Sequence, residues 1–423
     1  MLFVFALCVI ALLLLLVLFE PGLEYKVSAK LPCLDSPTFP YLLSTMIDKP
    51  FRPIHGLTVL KNGIAFYPAE LAAIRAANVS IHLEAFIFHA TPIGHQFLDA
   101  LAERAQAGVK VRVIVDAIGS FPTPNSFFTK LREAGGAVNW YQPLRLSTLK
   151  RYNNRTHREL LLIDGKTAFV GGAGIGAAWD SGFPPRLPWR DTVVRFEGAA
   201  VTALQTVFFE NWLESSGELL AETALPAPFE SQAPVHDSQN IGSFIVGSTP
   251  VGGRATRAHI LFQILIAAAS NEICINSPYF LPDRALRREL IAAVARGVRV
   301  TVIVPGKLNN HLLTRYASRR HYGELLEGGV ILFEYQPSMI HAKILIADSL
   351  WSVVGSTNFD TRSLGLNDEV NLAVKDTVFA RVLASHFSQD LTSSHRVSLE
   401  EWRTRPLSER LISSLGRLLE RQE

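Results

Sequence analysis

The chain has 423 residues, of which 48% are hydrophobic and 19% charged, a balance that suits two domains with large buried cores. The net charge of +3 is too small to argue for nucleic acid, and it is compatible with approach to an anionic membrane surface. The three cysteines, Cys8, Cys33 and Cys274, suggest neither a disulfide framework nor a C-x-x-C metal pair, since Cys8 lies within an N-terminal apolar run.

That run is unbroken from Met1 to Phe19. As a helix it would span roughly 28 Å, close to the thickness of a bilayer's hydrocarbon. No Lys or Arg precedes it, which favours an uncleaved transmembrane anchor over a cleaved signal peptide. Lys26, Lys30, Lys49 and Arg52 all follow it, so the positive-inside rule places the body on the cytoplasmic side. Residues 20 to about 55 hold several prolines and no clear period, and read as a linker.

Beyond the linker the chain repeats itself. Ala73–Glu84 matches Leu265–Asn276, each a helix end running into a strand. Ala105–Val115 matches Ala295–Val304, each a helix that stops at Gly before a β-branched strand. The order in both halves is helix, strand, helix, strand, then a signature strand. Such alternation predicts α/β sandwich domains around a largely parallel or mixed sheet. The expected division is an anchor over 1–20, a linker over 21–55, a first domain over 56–225, a second over 226–397, and an amphipathic helix over 398–423.

The second signature is the more complete. His341-Ala342-Lys343-Ile344-Leu345-Ile346-Ala347-Asp348 reads H-x-K-x4-D, followed by Gly355-Ser356-Thr357-Asn358, or G-S-x-N. Residues 344–347 are all apolar, as in a strand buried on both faces. Strand alternation would put His341 and Lys343 on one face. An imidazole beside a fixed ammonium suits a metal poorly and a phosphate well: the lysine holds oxygens while the histidine attacks phosphorus or moves a proton. Ser356 and Asn358 would add neutral donors. The first half carries His157-Arg158-Glu159-Leu160-Leu161-Leu162-Ile163-Asp164, then Gly171-Gly172-Ala173-Gly174. The spacing is kept, but Glu159 replaces the lysine, Gly172 the serine and Gly174 the asparagine.

The paired signatures resemble those of the phospholipase D superfamily. The longer run Gly355–Ser363 followed by Asn367-Asp368-Glu369 is similar to its cardiolipin synthase branch, and the likeness extends over about residues 56–397. It implies that both halves meet at one pseudo-twofold site. One histidine would form a phosphohistidine while the other protonates the leaving alcohol and then deprotonates the acceptor. By analogy with the family, His157 attacks and His341 is the acid. A carboxylate in each half, Asp191 and Glu369, would orient the histidines. Asp164 and Asp348, seven residues past their histidines, have the opposite strand parity and read as supporting positions. With phosphatidylglycerol as donor and acceptor the product is cardiolipin; with water as acceptor the enzyme is a phospholipase D. A nuclease-like phosphodiesterase and a binding protein with a dead site stay open as alternatives. The expected partners are a phospholipid and the membrane, without nucleic acid. No cofactor is expected, since no zinc or magnesium ligand set stands out; His82, Glu84, His89 and His95 read as unrelated core or loop residues.

Glu159 is the anomaly. On a strand it would share the face of His157, where an unpaired carboxylate would repel a phosphodiester. Arg155 has the right parity to neutralise it if the strand extends that far, and Lys166, Arg186 and Arg190 are other candidates that the sequence does not rank. On that pattern Glu159→Lys should preserve or raise turnover.

Overall fold

The computed structural model describes residues 26–27, 30–144, 151, 153–184, 186–220, 241–250, 255–406 and 409–410. The apolar run over 1–19 and most of the tail beyond 406 lie outside the described residues. No helix among the described residues is long and apolar enough to cross a membrane.

Fifteen strands follow one another as β1 Arg52–Lys61, β2 Ser80–Ala85, β3 Lys110–Asp116, β4 Ala137–Tyr141, β5 Leu160–Ile163, β6 Thr167–Gly171, β7 Thr192–Glu197, β8 Ile241–Ser248, β9 Glu272–Asn276, β10 Arg299–Pro305, β11 Ile331–Tyr335, β12 Ile344–Ala347, β13 Trp351–Gly355, β14 Glu369–Lys375 and β15 Ser394–Val397. They form one mixed sheet in the order β15-β11-β10-β9-β12-β13-β14-β8-β1-β7-β6-β5-β2-β3-β4. Apart from β15 at the edge, the order reads the same from either end. β2, β3 and β4 pair in parallel, as do β9, β10 and β11, and the signature strands β5 and β12 run antiparallel to β2 and β9. The halves join where β1 pairs antiparallel with β8, Pro53 opposite Gly242.

The repeated sequence explains the repeated geometry. The helices Pro92–Gln106 and Arg284–Ala295 both stop before a glycine with positive φ, Gly108 (+87°) and Gly297 (+95°), where a side chain would be strained. Val-rich β3 and β10 follow at once. β5 and β12 are apolar throughout because both faces are buried. Leu160, Leu162, Ile344 and Ile346 enter a central core shared by the two halves, together with Leu204 and Phe208 of the helix Ala199–Ser216. Leu161 and Ile163 face the first half's own core, and Leu345 and Ala347 the second's.

Two local expectations change. The residues expected to be linker contain the helix Phe39–Ile47, which buries Phe39, Leu43 and Ile47 in the second half's core. Its i, i+4, i+8 spacing is a single apolar seam too short to stand out in the sequence. The signature strands also begin later than expected: His157 and Glu159 precede β5, and His341 and Lys343 precede β12. Both pairs therefore sit on connecting backbone, where strand parity no longer governs direction.

Candidate active site

Two isolated parallel bridges, Thr156 with Asp368 and Arg190 with Ile340, tie each histidine segment to the opposite half. Around them the backbone bonds repeat: His157 N–H donates to Asp368 O at 2.8 Å and Asp368 N–H to Arg155 O at 2.9 Å. Likewise His341 N–H donates to Arg190 O at 2.7 Å and Arg190 N–H to Met339 O at 2.9 Å. The following residue in each bridge is a carboxylate, so the histidines are served crosswise. His157 Nδ1 lies 3.1 Å from both Glu369 oxygens. His341 Nδ1 lies 2.8 Å from Asp191 Oδ2. A carboxylate only accepts, so each Nδ1 carries the proton and each Nε2 is the ring's acceptor, that of His341 lying 3.0 Å from Lys343 Nζ. Spacing along the chain suggested neither crossing.

Both carboxylates are fixed in turn. Asp191 accepts from Trp179 Nε1 at 2.9 Å and from Thr192 N–H at 2.8 Å. Burial pushes its carboxyl up, but the bond from His341 and the charges of His341 and Lys343 outweigh this and hold it below the usual range. Glu369 accepts from the Ser356 hydroxyl, and Ser356 Oγ accepts from Val370 N–H at 3.0 Å. Ser356 is thus committed to Glu369. Asn358 Nδ2 donates to Ser363 Oγ at 3.2 Å, while its Oδ1 is buried without a partner.

Lys343 is buried with the histidines. Its Nζ lies 2.8 Å from His341 Nδ1 and 3.0 Å from Nε2, and donates to His341 O at 2.9 Å. Burial lowers Lys343 to about 8 against the pull of Asp191 and Glu369. Burial, then the Lys343 charge, lowers His341 to about 4 despite Asp191. Aromatic rings wall the pair: Phe86 meets His157 edge-on at 5.1 Å, and Trp179 and Trp189 lie 5.4 and 5.2 Å from His341. These rings were not singled out in the sequence, although Trp189 stands two residues before Asp191. Asp360, also buried, is raised to about 7 chiefly by desolvation.

The altered residues of the first half fit one another. Glu159 is not paired with Arg155, which lies 3.4 Å from Asp116 and donates to Asn154 O and Gln142 O. Arg190 pairs with Asp390, Arg186 is exposed, and no ion pair joins either of them or Lys166 to Glu159. Glu159 Oε1 instead accepts from the backbone N–H of Phe86 at 3.1 Å and of Ile87 at 3.5 Å. Burial raises its carboxyl well above the usual range, against those bonds and Lys343. A Cβ at Gly174 would stand 3.0 Å from Glu159 Oε1 and 2.8 Å from Ile87 O. A Cβ at Gly172 would stand 3.0 Å from Lys343 Nζ and from Asp191 Oδ1. One glycine admits the folded-back glutamate and the other admits the lysine of the opposite half.

The remaining candidates lie apart. Asp164 and Asp348 occupy left-handed turns (φ +54° and +52°) after β5 and β12. Asp164 accepts from the N–H groups of Asn78, Val79 and Ser80, and Asp348 from those of Ser270, Asn271 and Glu272. They pin the entrances of β2 and β9. His82 stacks on Phe208, Glu84 accepts from Thr156 and Asn211, and His89 Nε2 meets Gly119 O, so these three do not converge.

A sequence profile described as "Cardiolipin synthase, PLD-like domain" matches residues 71–178 and 262–391, the two segments that supply the crossed histidines. The chain belongs to this family of phospholipase D-like cardiolipin synthases. Among the family's curated members, the major cardiolipin synthase ClsA of Bacillus subtilis (strain 168) is 35% identical over 387 residues, 91% of this chain and 79% of ClsA. The probable cardiolipin synthase YwiE of the same strain is 34% identical over 363 residues, 86% of this chain and 71% of YwiE. The fold is similar to the crystal structure of phosphatidylserine synthase from Haemophilus influenzae Rd KW20, with a TM-score of 0.71 at 15% identity over 90% of this chain and 98% of that one.

Proposed function

We propose that the chain makes cardiolipin by transferring a phosphatidyl group from one phosphatidylglycerol to another through a phosphohistidine. The observation that carries this reading is the crossed arrangement, in which two imidazoles keep their Nε2 atoms for one phosphodiester and have Nδ1 fixed by Glu369 and Asp191. Membership of the cardiolipin synthase family supplies the substrate class.

His157 Nε2 attacks phosphorus as the bond to the glycerol headgroup breaks, and His341 gives that glycerol its proton. His341 then takes a proton from a hydroxyl of the second phosphatidylglycerol, whose oxygen displaces His157 and releases cardiolipin. Lys343 neutralises the non-bridging oxygens. The arriving phosphodiester's negative charge offsets the ammonium and, as a counter-ion beside the imidazolium, opposes the larger cost of burial, which favours the protonated His341 that its acid role needs. Asn358, once its amide turns toward the site, supplies a further donor. Ser356 acts through Glu369, and Asp164 and Asp348 hold the scaffold. The scheme uses no metal. The apolar run over 1–19 serves as a membrane anchor, with the body on the cytoplasmic side.

Expression in a host without its own cardiolipin synthases tests the activity: cardiolipin should appear at the expense of phosphatidylglycerol. Phosphatidic acid in its place would make the enzyme a hydrolase. Acid-free trapping and peptide mass spectrometry should find the phosphoryl group on His157; a label on His341 would exchange the two roles.

A further inference from the structure

Between Trp179 and Asp191 the chain makes a narrow turn that points into solvent. Phe183 and Arg186 face each other across it, with Arg186 N–H donating to Phe183 O at 2.8 Å. Phe183 is 54% exposed and Leu187 59%, and Pro184 and Arg186 are exposed beside them. Behind this tip lies a cavity of about 100 Å³ walled by Phe183, Leu187, Trp189, Leu308 and Met339. It shares a wall with the active site, because Trp189 lines it and packs on the His341 ring. Its outer rim carries the exposed cations Arg186 and Lys307.

We propose that this turn and groove seat an acyl chain of the phospholipid substrate while the rest of that lipid stays in an anionic bilayer. The inference rests on the phosphatidyl-transfer reading. A diacyl lipid whose phosphorus reaches the histidines must lead its hydrocarbon out of a buried polar site. This groove, apolar along Phe183, Leu187, Trp189, Leu308 and Met339 and polar at Arg186, Asn309, Asn310 and Ser338, begins at the Trp189 wall of that site. The apolar tip suits insertion among acyl chains. Arg186 and Lys307 stand where neighbouring anionic headgroups would lie, so charge matches as well. Burying one large apolar side chain in hydrocarbon favours association by at least about tenfold.

The test uses the full chain and the double variant Phe183→Ser/Leu187→Ser on two substrates. Dioleoyl-phosphatidylglycerol is presented in vesicles, and dihexanoyl-phosphatidylglycerol as monomers. The variant should lose at least about tenfold more in kcat/KM on the vesicles than on the monomers, whose six-carbon chains use less of the groove and need no bilayer insertion. Equal loss on both substrates, or loss on neither, would overturn the proposal. So would a fall in oligomeric state with the substrate ratio unchanged, which would assign the face to a second copy of the chain. A readout independent of turnover is Leu187→Trp, whose fluorescence should be quenched by brominated phosphatidylglycerol vesicles beyond the wild-type level. Quenching in a protein inert on both substrates would keep the docking surface and reject the activity; absence of quenching in an active protein would do the reverse.

Discussion

Replacing Glu159 by lysine would restore the residue that the signature spacing expects, and the geometry gives a reason for it to fail. The glutamate folds back onto the Phe86 and Ile87 amides, and Phe86 is the ring against His157. A lysine has no acceptor. Two amides would lose their partner, at about 1–3 kcal/mol for each left buried and unsatisfied. A second ammonium would also enter a small cavity near Lys343, lined by Leu83, Phe97, Leu161 and Phe169 together with the carboxyls of Glu70 and Glu84. With Phe86 released, His157 shifts, and a misplacement of roughly 1 Å can cost about 10²-fold in rate. Glu159→Lys should therefore lose about 10²-fold in kcat, measured as glycerol release from phosphatidylglycerol in detergent micelles. Glu159→Gln keeps the acceptor and should stay within a few-fold of wild type. Their stabilities should differ in pH dependence too. Burial raises the folded-state value of Glu159 above its unfolded value, so its contribution is complete below the ordinary carboxylate range and is lost as pH rises through the folded value. Glutamine removes that loss, and urea midpoints between pH 5 and 9 would display it. A Glu159→Lys enzyme as fast and as stable as wild type would refute the coupling of Glu159 to His157.

Other expectations follow from the same geometry. With Lys343 lowered to about 8, kcat/KM should fall as pH rises through that region, because the ammonium that holds the phosphate is lost; a flat profile to pH 10 would count against its role. Asp191→Asn should weaken the step served by His341 and Glu369→Gln the step served by His157, each by roughly 10²–10⁴-fold. A phosphatidyl donor with a leaving group that needs no protonation, such as p-nitrophenol, separates them: it bypasses the proton from His341, so only Glu369→Gln should suppress the first turnover's release. Asp164→Ala and Asp348→Ala each strip three backbone N–H groups of their acceptor and should lower stability by about 3 kcal/mol, read from urea midpoints, while the folded enzyme keeps its kcat.

Much of the scaffold was legible because it is local and stated twice. The helix-Gly-strand passages, the apolar β5 and β12, and the seven-residue spacing from His341 to Asp348 each need only a dozen consecutive residues to be seen. Membership of the family was legible for the same reason. What could not be read was set by contacts between residues far apart in the chain. The partner of His157 is 212 residues away and that of His341 is 150 residues away, and both depend on bridges across the halves. Arg155 was matched to Glu159 on strand parity, but that segment lies before the strand, and Arg155 turns to Asp116 instead. Nor does a glycine in a motif announce which side chain occupies the space it leaves, as Gly172 does for Lys343.

The crossed carboxylates also bear on how the protein comes into being. A ribosome that has delivered the first half has produced His157 and Asp191, yet the base that orients that histidine has not been synthesised, and Asp191 has no imidazole to hold. Neither half is a catalyst in waiting. On the proposed mechanism competence waits for both contacts, β14 bringing Glu369 beside His157 and Ile340 meeting Arg190. A nascent or partly degraded chain should therefore leave phosphodiesters untouched, so that on this mechanism turnover doubles as a report that the whole molecule has folded.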